Sequence, residues 1–277
     1  MTIETSKDTQ AFSEFEHQGW QTVSGGYEQH FARLTSQSAP AVLDAAGVGR
    51  GMHVLDVCSG PGMLAQAALA RGARVTGLDF SAEVVRIARR NVPHAEFREG
   101  DAQALPFPDD SFDAVVCGFG IIHVPDARRA LREMHEVLKP DCRLAVSVWE
   151  TPSPANGFGL LYGAIQTHAD PDVALPHGPD FFQFSAVEKL RAALEETGFS
   201  RIAVDRVEQT WEFSNPSGLV ASFVEGAVRA RGLLLAQTGA VREAIEQAVI
   251  EGMQQFRSAD AAYRVPMPAL IGSGAKD

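Results

Sequence analysis

The chain has 277 residues, 45% hydrophobic and 21% charged, enough for one large globular domain or a core with a small subdomain. Its 24 Lys and Arg stand against 35 Asp and Glu, a formal net charge of −11. That balance argues against a nucleic-acid partner, because phosphate contacts need a basic surface.

In chain order, Met1–Gln10 is polar, with no apolar run behind a basic one, so no signal peptide is expected. Nowhere does the sequence approach the ~20 apolar residues of a membrane span, and the expectation is a cytoplasmic protein with no membrane partner. Phe12 to Leu43 predicts helical pieces broken at Gly25-Gly26, carrying Trp20, Tyr27, His30 and Phe31. These aromatics either pack the segment onto a sheet or face a ligand. His53 to Val57 is an apolar strand that runs into the turn Cys58-Ser59-Gly60-Pro61-Gly62. A helix follows from Met63 to Arg71, then a strand from Arg74 to Leu78 that ends in Asp79. Strand, glycine turn, helix, strand and acid make a nucleotide-binding βαβ unit. Gly60 and Gly62 allow a tight turn and a close approach to a ligand. Asp79 stands where a carboxylate accepts from both hydroxyls of a ribose. Gly60 to Ala65 also fits G-x-G-x-x-A, which alone suggests NAD or FAD. Asp56 argues otherwise. A carboxylate there suits a positively charged cofactor, such as one carrying the ammonium of S-adenosylmethionine, and repels a pyrophosphate. The alternative is that Asp56 only caps the turn.

Glu96 to Glu99 predicts a third strand, with Gly100-Asp101-Ala102 as its loop. Ala114 to Cys117 is a fourth strand, Gly118-Phe119-Gly120 opens the next loop, and Asp126 to Leu138 is a basic helix stopped by Lys139-Pro140-Asp141. Arg143 to Trp149 is a fifth strand. With VLDVCSGPG, TGLDFS, REGDAQALPFPDDSFDAVVC and ALREMHEVLKPDCRLAVSVWE in this order, the chain resembles a class I S-adenosylmethionine-dependent methyltransferase. The resemblance is to the ubiquinone/menaquinone-biosynthesis-like branch and is dense over about residues 50–150. It implies that Asp56 and the backbone of Cys58, Ser59 and Gly60 hold the methionine end of the cofactor, in the turn completed by Gly62. It further implies that Asp79 binds the ribose with Phe80 beside the adenine, that Asp101 and Ala102 meet the adenine, and that Phe119 lines the cofactor near its sulfonium. In similar proteins the N-terminal segment folds over the cofactor, which would bring Tyr27 to it. Cys58 stands where glycine is common, Pro61 where threonine or serine often stands, and Asp141 where glycine is usual.

Beyond the fifth strand, Thr151 to Phe184 mixes Pro, Gly and aromatics and predicts a lid or binding loop. Ser185 to Thr197 predicts a helix with Ser185 as N-cap and Glu188 three residues on, ended by Gly198. Phe199 to Phe213 predicts a strand, Pro216 to Phe256 two helices split at Gly239, Tyr263 to Ile271 a strand, and Gly272 to Asp277 a mobile tail. The resemblance implies that the last two strands form an antiparallel hairpin at the sheet edge. The expected fold is α/β: a Rossmann-like, seven-stranded, mostly parallel sheet with an antiparallel edge strand, helices on both faces, and N-terminal and inserted helices as a lid. Residues 1–45 would be the N-terminal lid segment, and residues 46–277 the methyltransferase domain with insertions at about 151–184 and 215–257.

Among the remaining residues, Cys58, Cys117 and Cys142 are odd in number, lack disulfide or zinc spacing, and read as reduced. His168 to Asp172 reads as a polar loop, and no metal is expected. Arg86, Arg89 and Arg90, like Arg128, Arg129 and Arg132, read as solvated helix faces. His123, in the loop after the fourth strand, is the candidate base for a hydroxyl, phenol or enol acceptor, against the alternative that it only holds the loop. His30 and His177 are weaker candidates, and His53, His94 and His135 read as scaffold. The expected activity is methyl transfer from S-adenosylmethionine to a small apolar or aromatic metabolite, on oxygen or carbon. The runner-up readings are an NAD- or FAD-dependent oxidoreductase and a non-methylating S-adenosylmethionine-binding protein. An aromatic, polyketide, isoprenoid or quinone-like acceptor fits the apolar segments, although the insertion before the last strand is long for quinone enzymes. Oligomeric state is left open.

Overall fold

The computed structural model describes residues 6–170 and 172–277. Residues 1–5 of the polar N-terminus and Pro171 of the His168–Asp172 loop lie outside the described residues. The strands are β1 (His53–Val57), β2 (Arg74–Asp79), β3 (Glu96–Glu99), β4 (Phe112–Gly118), β5 (Leu138–Trp149), β6 (Ser200–Val207), β7 (Thr210–Phe213), β8 (Tyr263–Pro266) and β9 (Ala269–Ala275). The helices are α1 (Ser6–His30), α2 (Ala32–Thr35), α3 (Ala39–Ala45), α4 (Met63–Ala70), α5 (Ala82–Asn91), α6 (Ala127–Val137), α7 (Gly157–His168), α8 (Val187–Glu196), α9 (Gly218–Gly226), α10 (Val228–Ala236) and α11 (Gly239–Met253).

Seven strands form one sheet in the order β3-β2-β1-β4-β5-β9-β6, and β7 and β8 form a separate pair. β1 to β5 run parallel, and β9 is antiparallel to both of its neighbours. The central strands are apolar at nearly every position because helices cover both faces. Alternate residues feed two cores. Leu55, Val57, Val115, Cys117, Leu144 and Val146 join the cluster that includes α6 and α8. Val54, Ala114, Val116 and Ala145 join the cluster that includes α3 and α4. The expected α/β sheet and its helical cover are therefore present.

Several element boundaries differ from expectation, each for a packing reason. α1 runs unbroken through Gly25-Gly26. A Cβ on Gly26 would run into the Glu225 carbonyl, and one on Gly19 would meet Val228, so these glycines let α9 and α10 approach α1. Thr151–Phe184 is not a plain loop but contains α7, capped by the Asn156 side chain, which accepts from Gly159 N. Ser185 does not cap α8. Ala186 holds the cap position, and the Ser185 hydroxyl donates to the Phe182 carbonyl. The strand expected over Phe199–Phe213 is divided between the main sheet and the β7–β8 pair. The insertion between β7 and β8 holds three helices, not two. Gly272 to Ala275 is not a mobile tail but lies buried within β9. A Cβ on Gly272 would come within 2.9 Å of Leu190, so the glycine there lets α8 lie close on the sheet. Asp141, within β5, has φ +63°, a left-handed conformation in which glycine is more at ease and aspartate is tolerated.

Candidate active site

A cavity of about 690 Å³ opens at the carboxyl ends of the parallel strands, where this topology places ligands. Its floor is the sheet edge with Cys58, Gly60, Asp79, Asp101, Ala102 and Phe119. Its roof is built from α1, α7, the segment around Phe181, and the junction of α9 and α10. A smaller space of about 40 Å³ beside it is lined by Asp56, Ser59, Gly60 and Tyr27. Of the residues expected to hold the cofactor, Gly62 alone borders neither space. It holds φ +95° at the start of α4, and a Cβ there would come within 2.8 Å of Val92, so it serves the turn and its packing. His177 is exposed and lies outside the cavity lining. His30 borders neither space, and its Nε2 pairs with Glu225 at 2.7 Å on α9.

The two acids of the βαβ unit are both buried and electrostatically distinct. Burial pushes the Asp56 carboxyl up to about 8; the Ala65 amide counters this only in part, and nearby Asp79 adds to it. Neither Asp56 oxygen has a hydrogen-bond partner of ordinary geometry, and the Ser59 hydroxyl is likewise unpartnered. Burial also raises Asp79, to about 6, although it accepts from Ser81 N at 3.1 Å and from Gly60 N at 3.0 Å. Those two bonds hold the carboxylate at the cavity wall and leave acceptor capacity on each oxygen. Asp101 is exposed and accepts from Gln103 N at 2.8 Å. Phe80 meets the His17 ring edge-on at 5.5 Å.

Two non-glycine residues at the floor have left-handed backbone, Cys58 at φ +55° and Phe119 at φ +58°. Each such residue costs on the order of 1 kcal/mol, and such costs cluster at ligand sites. Phe119 is held by stacking on Trp149, with centroids 4.1 Å apart. Above it stand Phe158, Tyr162 and Phe181, an aromatic wall in which burial raises the Tyr162 hydroxyl to about 12. Tyr27 stacks on Phe31 and hydrogen-bonds Thr35 at 3.4 Å.

His123 lines the same cavity, and here the structure adds residues that the sequence reading missed. Its Nδ1 lies 3.1 Å from Oε2 of Glu16, a side chain only 1% exposed. Trp20 Nε1 donates to the same oxygen at 3.1 Å. Arg229 Nε donates to the other oxygen at 2.7 Å. Burial pushes the Glu16 carboxyl up, but His123 and Arg229 outweigh it and hold the group below the usual carboxylate range. The 107 residues between Glu16 and His123, and the 213 between Glu16 and Arg229, explain why no local pattern announced the cluster. The one available signal was a Glu and a Trp on a single helical face, four residues apart.

The profile of a methyltransferase domain matches residues 54–141. The demethylmenaquinone methyltransferase of Renibacterium salmoninarum is 34% identical over 196 residues, covering 69% of this chain and 82% of that protein. The chain belongs to the class I S-adenosylmethionine-dependent methyltransferases. It falls in their ubiquinone/menaquinone-biosynthesis-like branch of small-molecule enzymes. The demethylmenaquinone methyltransferase of Thermus thermophilus is 37% identical over 166 residues, 53% of this methyltransferase and 74% of its relative. Among solved structures, the YcgJ protein of Bacillus subtilis superposes with a TM-score of 0.56 at 21% identity, over 86% of this chain and 97% of its own. A Haemonchus contortus phosphoethanolamine N-methyltransferase, solved with phosphomonomethylethanolamine and S-adenosylhomocysteine, gives 0.57 at 18% identity, over 96% and 60%. At such identities the structural likeness speaks for the fold.

The cofactor of this methyltransferase is S-adenosylmethionine, and its own residues fit that molecule. An unpartnered, buried carboxylate at the end of β1 wants a cation, which the cofactor's ammonium supplies and a pyrophosphate does not. The G-x-G-x-x-A match therefore reports a tight turn rather than NAD or FAD. Among the described residues no group of three or more His, Cys, Asp and Glu side chains could hold a metal ion.

Proposed function

We propose that this methyltransferase methylates a small, apolar, hydroxyl-bearing aromatic metabolite, on oxygen or on the activated ring carbon. Asp56 and the backbone of Cys58, Ser59 and Gly60 hold the methionine end of the cofactor. Asp79 takes the ribose hydroxyls, Phe80, Asp101 and Ala102 take the adenine, and Phe119 and Tyr27 flank the reacting end. When bound, the sulfonium supplies a methyl group whose carbon accepts the acceptor's electron pair as the carbon–sulfur bond breaks and its pair returns to sulfur. The protein's share is to hold the acceptor in line, exclude water beneath the helical roof, and receive the acceptor's proton on His123.

The observation that carries this reading is the cavity lining. Beyond the polar floor the wall is aromatic, with Trp149, Phe158, Tyr162 and Phe181, and the His123 imidazole stands edge-on to Phe181 at 5.5 Å. Such a wall suits a flat apolar ring, and an imidazole suits the proton of a phenol or enol. The curated relatives are named for demethylmenaquinone, whose reduced form carries phenolic hydroxyls, so a hydroquinone falls within the proposed class.

The first test is calorimetric titration with S-adenosylhomocysteine and, separately, NADH. Micromolar binding of the former, weakened tenfold or more by Asp79→Ala, is expected, with no binding of NADH. Labelled-methyl transfer is then measured to reduced demethylmenaquinone, phenolic polyketides, isoprenoid alcohols and primary amines. Transfer to phenolic acceptors, lost in His123→Ala, is the expected outcome. Transfer confined to amines would sink the hydroxyl reading.

A further inference from the structure

We propose that Glu16 is the positioning residue of the His123 base, fixing its proton on Nδ1 so that Nε2 is left to take the proton of the acceptor hydroxyl. This rests on the hydroxyl-acceptor reading above. The argument begins with the hydrogen-bond roles around one carboxylate. Oε2 of Glu16 already accepts from Trp20 Nε1, a group that can only donate, and Oε1 accepts from Arg229. With two obligatory donors in place and its pKa held low, Glu16 is a carboxylate and can only accept. The contact at 3.1 Å to His123 Nδ1 is then a bond that the imidazole must donate. In the neutral ring this leaves the lone pair on Nε2. Among the described residues Nε2 has no hydrogen-bond partner, while the ring borders the cavity.

The ring is also held against rotation. Trp20 meets it edge-on at 5.0 Å and Phe181 at 5.5 Å. Arg229 lines the cavity as well, but every one of its nitrogens is already engaged in holding structure. Its Nε is on Glu16, and its two terminal nitrogens donate to the Pro179 carbonyl at 2.7 Å and the Ile122 carbonyl at 3.0 Å. It fastens α10 and the segment around Pro179 to the loop that carries His123. During transfer the acceptor O–H breaks and its proton moves to Nε2, while the oxygen, or the conjugated ring carbon to give a keto tautomer that then enolises, forms the new bond to the methyl carbon as that carbon's bond to sulfur breaks. The imidazolium so formed faces the Glu16 carboxylate, which stabilises it without accepting the proton. Because Glu16 and Trp20 ride on α1, the base is complete only with that roof helix seated.

The decisive experiment is long-range ¹H–¹⁵N imidazole spectroscopy on the full chain saturated with S-adenosylhomocysteine at pH 8, with His123 assigned by loss of its signals in His123→Gln. Wild type is expected to show the Nδ1–H tautomer. Glu16→Gln is expected to lose that preference, and to lower kcat about a hundredfold on a phenolic acceptor with KM moved less than threefold. A wild-type ring protonated on Nε2 overturns the proposal, and that spectrum decides even if Glu16→Gln does not fold. An unchanged tautomer in Glu16→Gln overturns it equally. Transfer confined to amines would overturn the hydroxyl reading and the base role with it. A wrong tautomer alongside intact phenol methylation would overturn Glu16's role alone.

Discussion

Asp56 concentrates the tension between stability and binding in a single carboxyl group. Its pKa stands near 8 in the folded chain against 3.8 for the free side chain, because burial penalises the charged form. The native state therefore holds a proton that the unfolded state has lost between those values, and stability falls as pH rises through that window. Asp79 acts in the same direction only up to about 6, and Glu16, held below its usual range, acts in the opposite direction at the acid end. Between pH 6 and 8 the free protein should lose roughly 2 kcal/mol through Asp56, at about 1.4 kcal/mol per pH unit for a full proton. Urea denaturation at the two pH values should show this drop in wild type and its absence in Asp56→Asn. Binding runs the other way, since only the carboxylate attracts an ammonium. Affinity for S-adenosylhomocysteine should rise from pH 6 to 8 in wild type and stay flat in Asp56→Asn, and parallel slopes in the two proteins would remove Asp56 from the ammonium site. Both Asp56 and Asp79 were legible in the sequence because a βαβ unit is local, with strand, turn and acid inside 27 residues from His53 to Asp79. Glu16 and Arg229 were not, because what gives them meaning is contact across the fold.

Elements were misjudged where glycine served close approach and not chain reversal. In α1 the two adjacent glycines differ in kind. Gly25 is exposed with nothing near a prospective Cβ, while Gly26 lies against the Glu225 backbone of α9. Gly25→Ala should stabilise the protein by about 0.5–1 kcal/mol, the ordinary gain of alanine over glycine within a helix. Gly26→Ala should destabilise by about 1–3 kcal/mol, because a methyl group inserted into a filled contact forces the helices apart. Equilibrium unfolding of the two variants checks both signs, and equal effects would mean that α1 and α9 do not meet at Gly26. The same confusion hid β9. Gly272 and Gly274 look like a tail in sequence, yet a Cβ at Gly274 would come within 2.7 Å of Phe199. Small residues there give the α8 side of the sheet its close fit, a requirement that appears only once α8 is known to lie on β9. The central strands β1 and β4 needed no such knowledge, since their apolar runs are dictated by burial on both faces.

At the scale of the whole molecule, two layers of different origin meet at the cavity. The sheet and its covering helices enclose two cores, and one of them runs on into the roof at Phe158, Phe223 and Ala230. The roof is gathered from α1, α7 and the α9–α10 junction, segments far apart in the chain, and it is tied to the sheet loops by few polar links. Arg229 is the chief of these, joining Glu16 of α1, Ile122 after β4 and Pro179. Removing one member of a buried ion pair leaves its partner's charge uncompensated, at a cost of about 3–5 kcal/mol. In Arg229→Met that cost falls on the roof, because the strands of the sheet keep all their own hydrogen bonds. Hydrogen exchange should therefore quicken in α1, in α10 and around residues 179–182, while β1, β4 and β5 exchange as in wild type. Affinity for S-adenosylhomocysteine should fall with it, since a ligand held between two layers is bound only as well as the looser layer closes. Saturating S-adenosylhomocysteine should in turn slow exchange in α1 of the wild type, because binding to the closed form alone stabilises that form by mass action. Uniform acceleration across sheet and roof in Arg229→Met would instead mean that the two layers unfold as one unit, and that the Glu16–Arg229 pair supports the core as much as the cavity.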